Sequence, residues 1–311
     1  MRVAFIGQQD FGKATLEAFL ARGDEVAGVF CKPEKPGEKP DALREAAQAR
    51  GLKVFQFPSL KSAEAEAAMR DLNADIGVMA YVLQFAPQSF VSIPRHGTIQ
   101  YHPSLLPRYR GPSSINWPIA RGDTQTGLTI FRPTDGLDEG PVILQKKCPI
   151  GPDDTLGQVY FNALFPMGVA AMLEAADLVV AGKHQEVVQD ESLASYEGWF
   201  RADESKINWG NHVDQVYNLI RACNPAPGAW TVLDDTMVWL FDCRKHPIRT
   251  FGEVRGKPGE ISRITDSSIF INAQGGMIEV LKLRYEGGKK MSAADFAQER
   301  GLTAAGARPA G

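Results

Sequence analysis

The chain has 311 residues, enough for two domains at about 150 residues each, and its net charge of −3 comes from 34 Lys and Arg interleaved with 37 Asp and Glu. Phosphate backbones are bound by clustered cations, so this dispersed charge argues against a nucleic-acid partner; the densest group, Lys32-Pro-Glu-Lys-Pro-Gly-Glu-Lys39, offsets its lysines with two glutamates and reads as a solvated loop. Four scattered cysteines, Cys31, Cys148, Cys223 and Cys243, suggest neither a zinc site nor a disulfide framework and make a reducing cytoplasm the expected compartment.

Residues 1–7 read as a buried strand, too short an apolar run for a signal peptide. Gly7 then opens a turn before a helical pattern over 13–22, with Leu16, Phe19 and Leu20 on one face and Gly23 as its stop. Strands are expected at 26–30, 54–57 and 76–80, and helices at 42–50 and 63–72. This alternation predicts an α/β domain built on a parallel, doubly wound sheet, with its chemistry at the C-terminal edge of the strands. The first turn, Gly7-Gln-Gln-Asp-Phe-Gly12, lacks the G-x-G-x-x-G glycines that admit a pyrophosphate. A non-catalytic nucleotide- or small-ligand-binding module is therefore only a remote alternative.

After the loop 81–87 comes Gly97-Thr-Ile-Gln-Tyr-His-Pro-Ser-Leu-Leu-Pro-Arg-Tyr-Arg-Gly111. A short β-rich run ends there in His102, placing an imidazole where a strand gives way to a loop. A lone histidine is more often a hydrogen-bonded structural residue, with Arg108 and Arg110 as surface charges. A second strand and acidic loop at 127–140 shift the balance, because Asp135 and Asp138 are available as partners. A carboxylate beside the imidazole would fix its tautomer for general acid/base work; spacing leaves the choice between the two open.

Residues 142–149 read as another strand. The apolar helical stretch 156–180 contains Pro166 and Gly168, which predict a kink or break; no segment is read as long and apolar enough to cross a membrane. A boundary near Asp203 divides the chain into domains 1–203 and 204–311. Beyond it, a helix at 213–223, the turn Asn224-Pro-Ala-Pro-Gly228 and β-rich runs at 229–232, 237–243, 259–263, 268–272 and 278–285 predict a small β-barrel. Residues 301–311, small and polar, are expected to be a frayed tail.

The motif from His102 to Gly111, with Gly136-Leu-Asp-Glu-Gly140 downstream, resembles the signature of the folate-dependent formyltransferase family. The resemblance implies a Rossmann-like first domain, an OB-like β-barrel second domain, and 10-formyltetrahydrofolate as formyl donor or substrate, with no metal. It matches His102 to the catalytic histidine and Asp138 to the catalytic aspartate, which makes Asp135 the second choice. Ser104, Leu105, Leu106 and Pro107 match the loop beside the folate, and Gln84, Phe85 and Ala86 the segment lining the pterin pocket. Gln100 stands where transferases of the family carry an asparagine whose amide polarises the formyl carbonyl, and Glu139 stands where they carry threonine. Ser205-Lys-Ile-Asn-Trp209 is similar to the phrase that opens the family's second domain, and the segment from Gly288 to Phe296 to its closing segment.

Within the family, Gln84-Phe85 and that closing segment most resemble the hydrolase domain of the 10-formyltetrahydrofolate dehydrogenases, whereas the retained amide at Gln100 resembles the methionyl-tRNA formyltransferases. The expected activity is hydrolysis of 10-formyltetrahydrofolate to tetrahydrofolate and formate. The alternative is formylation of methionyl-tRNA or of another amine. Expected partners are a folate and water or an amine, with tRNA less favoured and no membrane.

Overall fold

The computed structural model describes residues 1–250 and 256–304. Most of the expected tail, 305–311, lies outside the described residues. The chain forms two compact units. One comprises Met1–Ser114, Thr126–Cys148 and Phe161–Glu197, and the other Ile115–Gln125, Pro149–Tyr160 and the chain from Gly198 onward.

The first unit is built on a seven-stranded sheet. Its strands are β1 (Arg2–Gly7), β2 (Glu25–Phe30), β3 (Val54–Phe55), β4 (Ile76–Ala80), β5 (Thr98–His102), β6 (Gln125–Phe131) and β7 (Val142–Pro149), in the order β3-β2-β1-β4-β5-β6-β7. The first five pair in parallel. All five residues of β4 are buried, as expected of a strand covered on both faces. The expectation of a parallel sheet is corrected at one side: β6 runs antiparallel to β5, with Gln100 opposite Phe131 and His102 opposite Thr129. The intervening chain holds the His102 loop in place of a crossover helix laid on the sheet, so the direction reverses.

The helices α1 (Gln9–Ala21), α2 (Ala42–Ala49), α3 (Ala63–Asp71) and α4 (Gln88–Val91) follow the first, second, third and fourth strands. The chain then supplies α5 (Asn116–Arg121) and α6 (Leu156–Val159) to the second unit and α7 (Phe165–Val180) to the first. Phe11 of α1 stacks on Tyr101 of β5 at 4.3 Å between centroids and meets Phe165 of α7 edge-on at 5.4 Å. A separate cluster joins Met69 and Leu72 to Phe90, Phe30, Ile6 and Met79. Helix α1 starts four residues before the expected Lys13, because the Gln9 N–H donates to the Asp41 carboxylate 32 residues away. Local sequence holds no such cap. Gly7 is required by packing: a Cβ there would run into the Ala80 carbonyl of the neighbouring strand, which explains the first turn without a nucleotide.

Two expectations about 156–180 are corrected. The irregularity is a π-helical turn at Tyr160–Leu164, ahead of Pro166, and Pro166 sits in the first turn of α7, where its missing N–H would have had no partner anyway. Leu156–Val180 is also 25 residues long and holds an 18-residue window of mean hydropathy 1.7, so among the described residues one helix does have the length and composition to cross a membrane. Its α7 part turns Gly168, Ala171, Met172, Ala175, Ala176 and Val179 inward, and α7 packs against the Phe11–Tyr101 layer of its own unit.

In the second unit, α8 (Val213–Ala222) carries Val213, Val216 and Ile220 into a core with Val238, Leu240, Ile271, Ile278, Leu283 and Phe296. The strands are β8 (Ala229–Leu233), β9 (Thr236–Leu240), β10 (Cys243–Pro247), β11 (Ile261–Ile264), β12 (Ile269–Ala273), β13 (Gly276–Val280), β14 (Lys282–Tyr285) and β15 (Lys290–Ser292), followed by helix α9 (Ala293–Arg300). They form two four-stranded sheets, β10-β13-β12-β11 and β15-β14-β9-β8. The single strands expected over 237–243 and 278–285 are each two strands, one in either sheet. The chain changes sheets at 241–242 and at Leu281, where Phe241 N–H donates to Lys282 O and Leu281 N–H to Asp242 O.

Gly168 offers a direct test of the α7 contact. A Cβ at this position would lie 2.7 Å from the Tyr101 ring and 3.0 Å from the Phe11 ring. Gly168→Val should therefore lower the unfolding free energy of this unit by about 1–3 kcal/mol through overpacking. A urea midpoint equal to the parent's would contradict the contact.

Candidate active site

Alternation along β5 puts Thr98, Gln100 and His102 on one face and Ile99 and Tyr101 on the other. The Tyr101 face is filled by Phe11. Gln100, half-buried, thus shares its face with His102, and both lie toward the C-terminal end of the strand. His102 is 6% exposed. Its Nε2 lies 2.8 Å from the Tyr109 carbonyl oxygen; a carbonyl only accepts, so Nε2 carries the proton in the neutral ring. The other nitrogen, Nδ1, faces Asp138 Oδ2 at 3.5 Å. That same carboxylate oxygen accepts from the Gly111 N–H at 2.8 Å.

The two candidate carboxylates are separated by these contacts. Asp135 accepts from the N–H of Gln88 at 2.8 Å and serves the first turn of α4, while Asp138 stands at the imidazole. Glu139 is exposed and lies over Gly136, whose Cβ position it occupies.

The 104–107 loop is held from below. Thr129 Oγ1 donates to Ser104 O at 2.7 Å and accepts from Leu106 N–H at 3.1 Å, and the Gln145 amide donates to Leu106 O and Thr129 Oγ1. Ser104 is fully buried, and its hydroxyl donates to Arg108 O. Leu106 is buried, while Leu105 and Pro107 are half-buried. On the loop after β4, the Leu83 N–H donates to the buried Gln8 side chain and the Gln84 amide to Phe57 O and Pro58 O. Tyr81, Leu83 and Phe85 are left exposed above the buried Ala86. Lys61 lies 4.7 Å from the Phe85 ring centroid.

Arg110, a surface charge only in the bland reading of this loop, is completely buried. Its Nε and Nη2 donate to Gln189 Oε1 at 3.2 and 2.9 Å, its Nη1 and Nη2 to the two oxygens of Glu191 at 2.9 and 2.6 Å, and its Nη1 also to the Tyr196 hydroxyl. The hydrogen bond from Arg110 holds the Glu191 carboxyl below its ordinary pKa, and the same contact raises that of the guanidinium. Ser195 adds three bonds: its Oγ accepts from Tyr109 N–H, its carbonyl accepts from Arg110 N–H, and its N–H donates to Pro107 O. These partners lie 79 to 88 residues from the loop they hold, and no motif marks them.

The arrangement pairs a nearly buried imidazole with a carboxylate, beside an exposed apolar rim. An imidazole set against a carboxylate is an arrangement suited to general acid/base chemistry. Among the described residues no group of three or more His, Cys, Asp or Glu could hold a metal ion.

A sequence model described as "Formyl transferase" matches residues 1–176, and one described as "Formyl transferase, C-terminal domain" matches residues 200–301. The chain is 35% identical over 307 residues to the mitochondrial 10-formyltetrahydrofolate dehydrogenase of Homo sapiens, covering 95% of this chain but only 33% of that one; it spans about one third of the length of these dehydrogenases. It is 34% identical over 301 residues to the methionyl-tRNA formyltransferase of Geobacter metallireducens, covering 95% of this chain and 94% of that protein. The crystal structure of HypX from Aquifex aeolicus, solved with tetrahydrofolic acid, shares the fold with a TM-score of 0.67 at 20% identity, over 96% of this chain and 47% of that one. With the first sequence model alone matching more than half of the residues, the chain belongs to the folate-dependent formyltransferase family.

Proposed function

We propose that the protein hydrolyses 10-formyltetrahydrofolate to tetrahydrofolate and formate, and that all groups doing so lie within residues 1–203, the second domain being 204–311. The observation that carries this reading is the His102–Asp138 pair, with Gln100 on the same face of β5. Water attacks the formyl carbon, and its proton passes to the pair. The Gln100 amide donates to the developing oxyanion. The proton then goes to N10 as the bond from N10 to the formyl carbon breaks, leaving formic acid, which gives its remaining proton to solvent and departs as formate. One well-placed oxyanion donor is worth about 3 kcal/mol of barrier. In this reading the folate lies on Phe85 and Ala86, beside Gln84 and the 104–107 loop. The net charge of −3 favours a small acceptor over tRNA, since tRNA binding draws on clustered cations.

The second reading is formylation of methionyl-tRNA, favoured by the relative of that name whose whole length this chain nearly covers. The two readings separate in one assay: purified protein with 10-formyltetrahydrofolate, with and without charged initiator tRNA. Formate release that is independent of tRNA supports hydrolysis; turnover only with tRNA overturns it.

His102→Ala should reduce turnover by about a hundredfold or more while folate affinity changes little, because the imidazole acts on the transition state. Asp138→Asn should be similarly damaging, and Asp135→Asn much less so. If Asp135→Asn proves the worse, the carboxylate is misassigned. At Gln100, shortening the arm by one carbon moves the amide by about 1 Å, a displacement that can change a rate by about a hundredfold. Gln100→Asn should accordingly raise formylation of an amine relative to hydrolysis, and an unchanged ratio would remove Gln100 as the determinant of acceptor.

A further inference from the structure

We infer that Gln189 is a positioning residue for the catalytic pair, acting by holding the backbone that carries Asp138. The inference rests on the reading of His102 and Asp138 as that pair. Gln189 is 6% exposed and uses both ends of its amide. The oxygen accepts from Arg110 Nε and Nη2. The nitrogen donates to the carbonyl of Asp138 at 2.9 Å and to that of Gly140 at 2.7 Å. The cation on one side and the two carbonyls on the other leave only one orientation of the amide.

Asp138 needs such a hold. Its φ is +54°, and that of Tyr109 is +58°, in a region where a non-glycine residue persists only if its surroundings over-determine it. Arg110 stands at the meeting of two arms. Along the backbone, its neighbours Tyr109 and Gly111 give a carbonyl to His102 and an N–H to Asp138. Through its side chain it grips Gln189, which grips the Asp138 backbone. Because the Nδ1 to Oδ2 distance is already 3.5 Å, a further shift of the loop separates the pair. The Arg110–Gln189 link therefore sets that distance from outside the pair.

Gln189→Glu isolates the amide donors. The carboxylate still accepts from Arg110, but it has no N–H for the two carbonyls and places negative charge against them. In the full-length protein, Gln189→Glu and Gln189→Met should each lower kcat for formyl release by about 10- to 100-fold with KM for the folate little changed, as a displaced catalytic group does. The ring-nitrogen NMR signals of His102, assigned by their loss in His102→Asn, should move in both. In the parent protein both side-chain amide protons of Gln189 should exchange slowly, a measurement that holds whether or not the variants fold. Parental kcat in Gln189→Glu, unmoved His102 signals in it, or fast exchange of the Gln189 amide overturns the inference. If His102→Ala keeps its turnover, the proposed function falls; if it is inactive while Gln189→Glu works normally, only the positioning role falls.

Discussion

The burial of Arg110 is the constraint from which most of the site follows. A guanidinium does not lose its proton in a protein, so enclosing it completely demands a hydrogen-bond partner on every side. Gln189, Glu191 and Tyr196 meet that demand, and the chain from 189 to 197 must lie across the His102 loop for them to do so. Two flanking bridges follow the same path: Arg110 pairs with Tyr196 in a single β-bridge, and Val142 with Val187. The cation is thus less a charge at the site than the reason the site has a fixed floor. An apolar residue would fill the same volume without selecting a partner.

Strain and saturation go together here. Tyr109 and Asp138 both hold left-handed backbone, at a cost of order 1–3 kcal/mol each. What offsets it is the density of hydrogen bonds around them, from Ser195 on one side and Gln189 on the other. These two residues present a backbone carbonyl and a side-chain carboxylate to His102.

The strands and their parallel direction could be read as far as each strand is followed by a helix of its own. They could not be read where direction depends on what fills the connection, as between β5 and β6, or where an apolar run crosses from one sheet to another, as at 241–242 and Leu281. The pairing of His102 with a carboxylate from 127–140 was legible because both lie in short, compositionally odd loops. Which carboxylate was legible only through family resemblance; in the structure Asp135 is occupied at the start of α4. Nothing in the sequence marks Arg110 as buried, because an arginine beside a tyrosine and a glycine looks like any surface cation. Its partners belong to a polar stretch with no periodicity, and only the fold brings them across about eighty residues of chain.

The polar and apolar parts of the site behave oppositely. Ser104, Thr129, Gln145, Gln189 and Gln84 each donate a side-chain hydrogen bond to the protein's own backbone, so the loops keep their shape without a ligand. Tyr81, Leu83 and Phe85 instead stand 39 to 49% exposed, and apolar surface gains only when something covers it, at about 25 cal/mol per Å². A molecule settling on that rim would gain its affinity from area and meet groups already aligned. Alignment that precedes binding need not be bought with ligand ordering, and the binding energy is then left to act on the transition state.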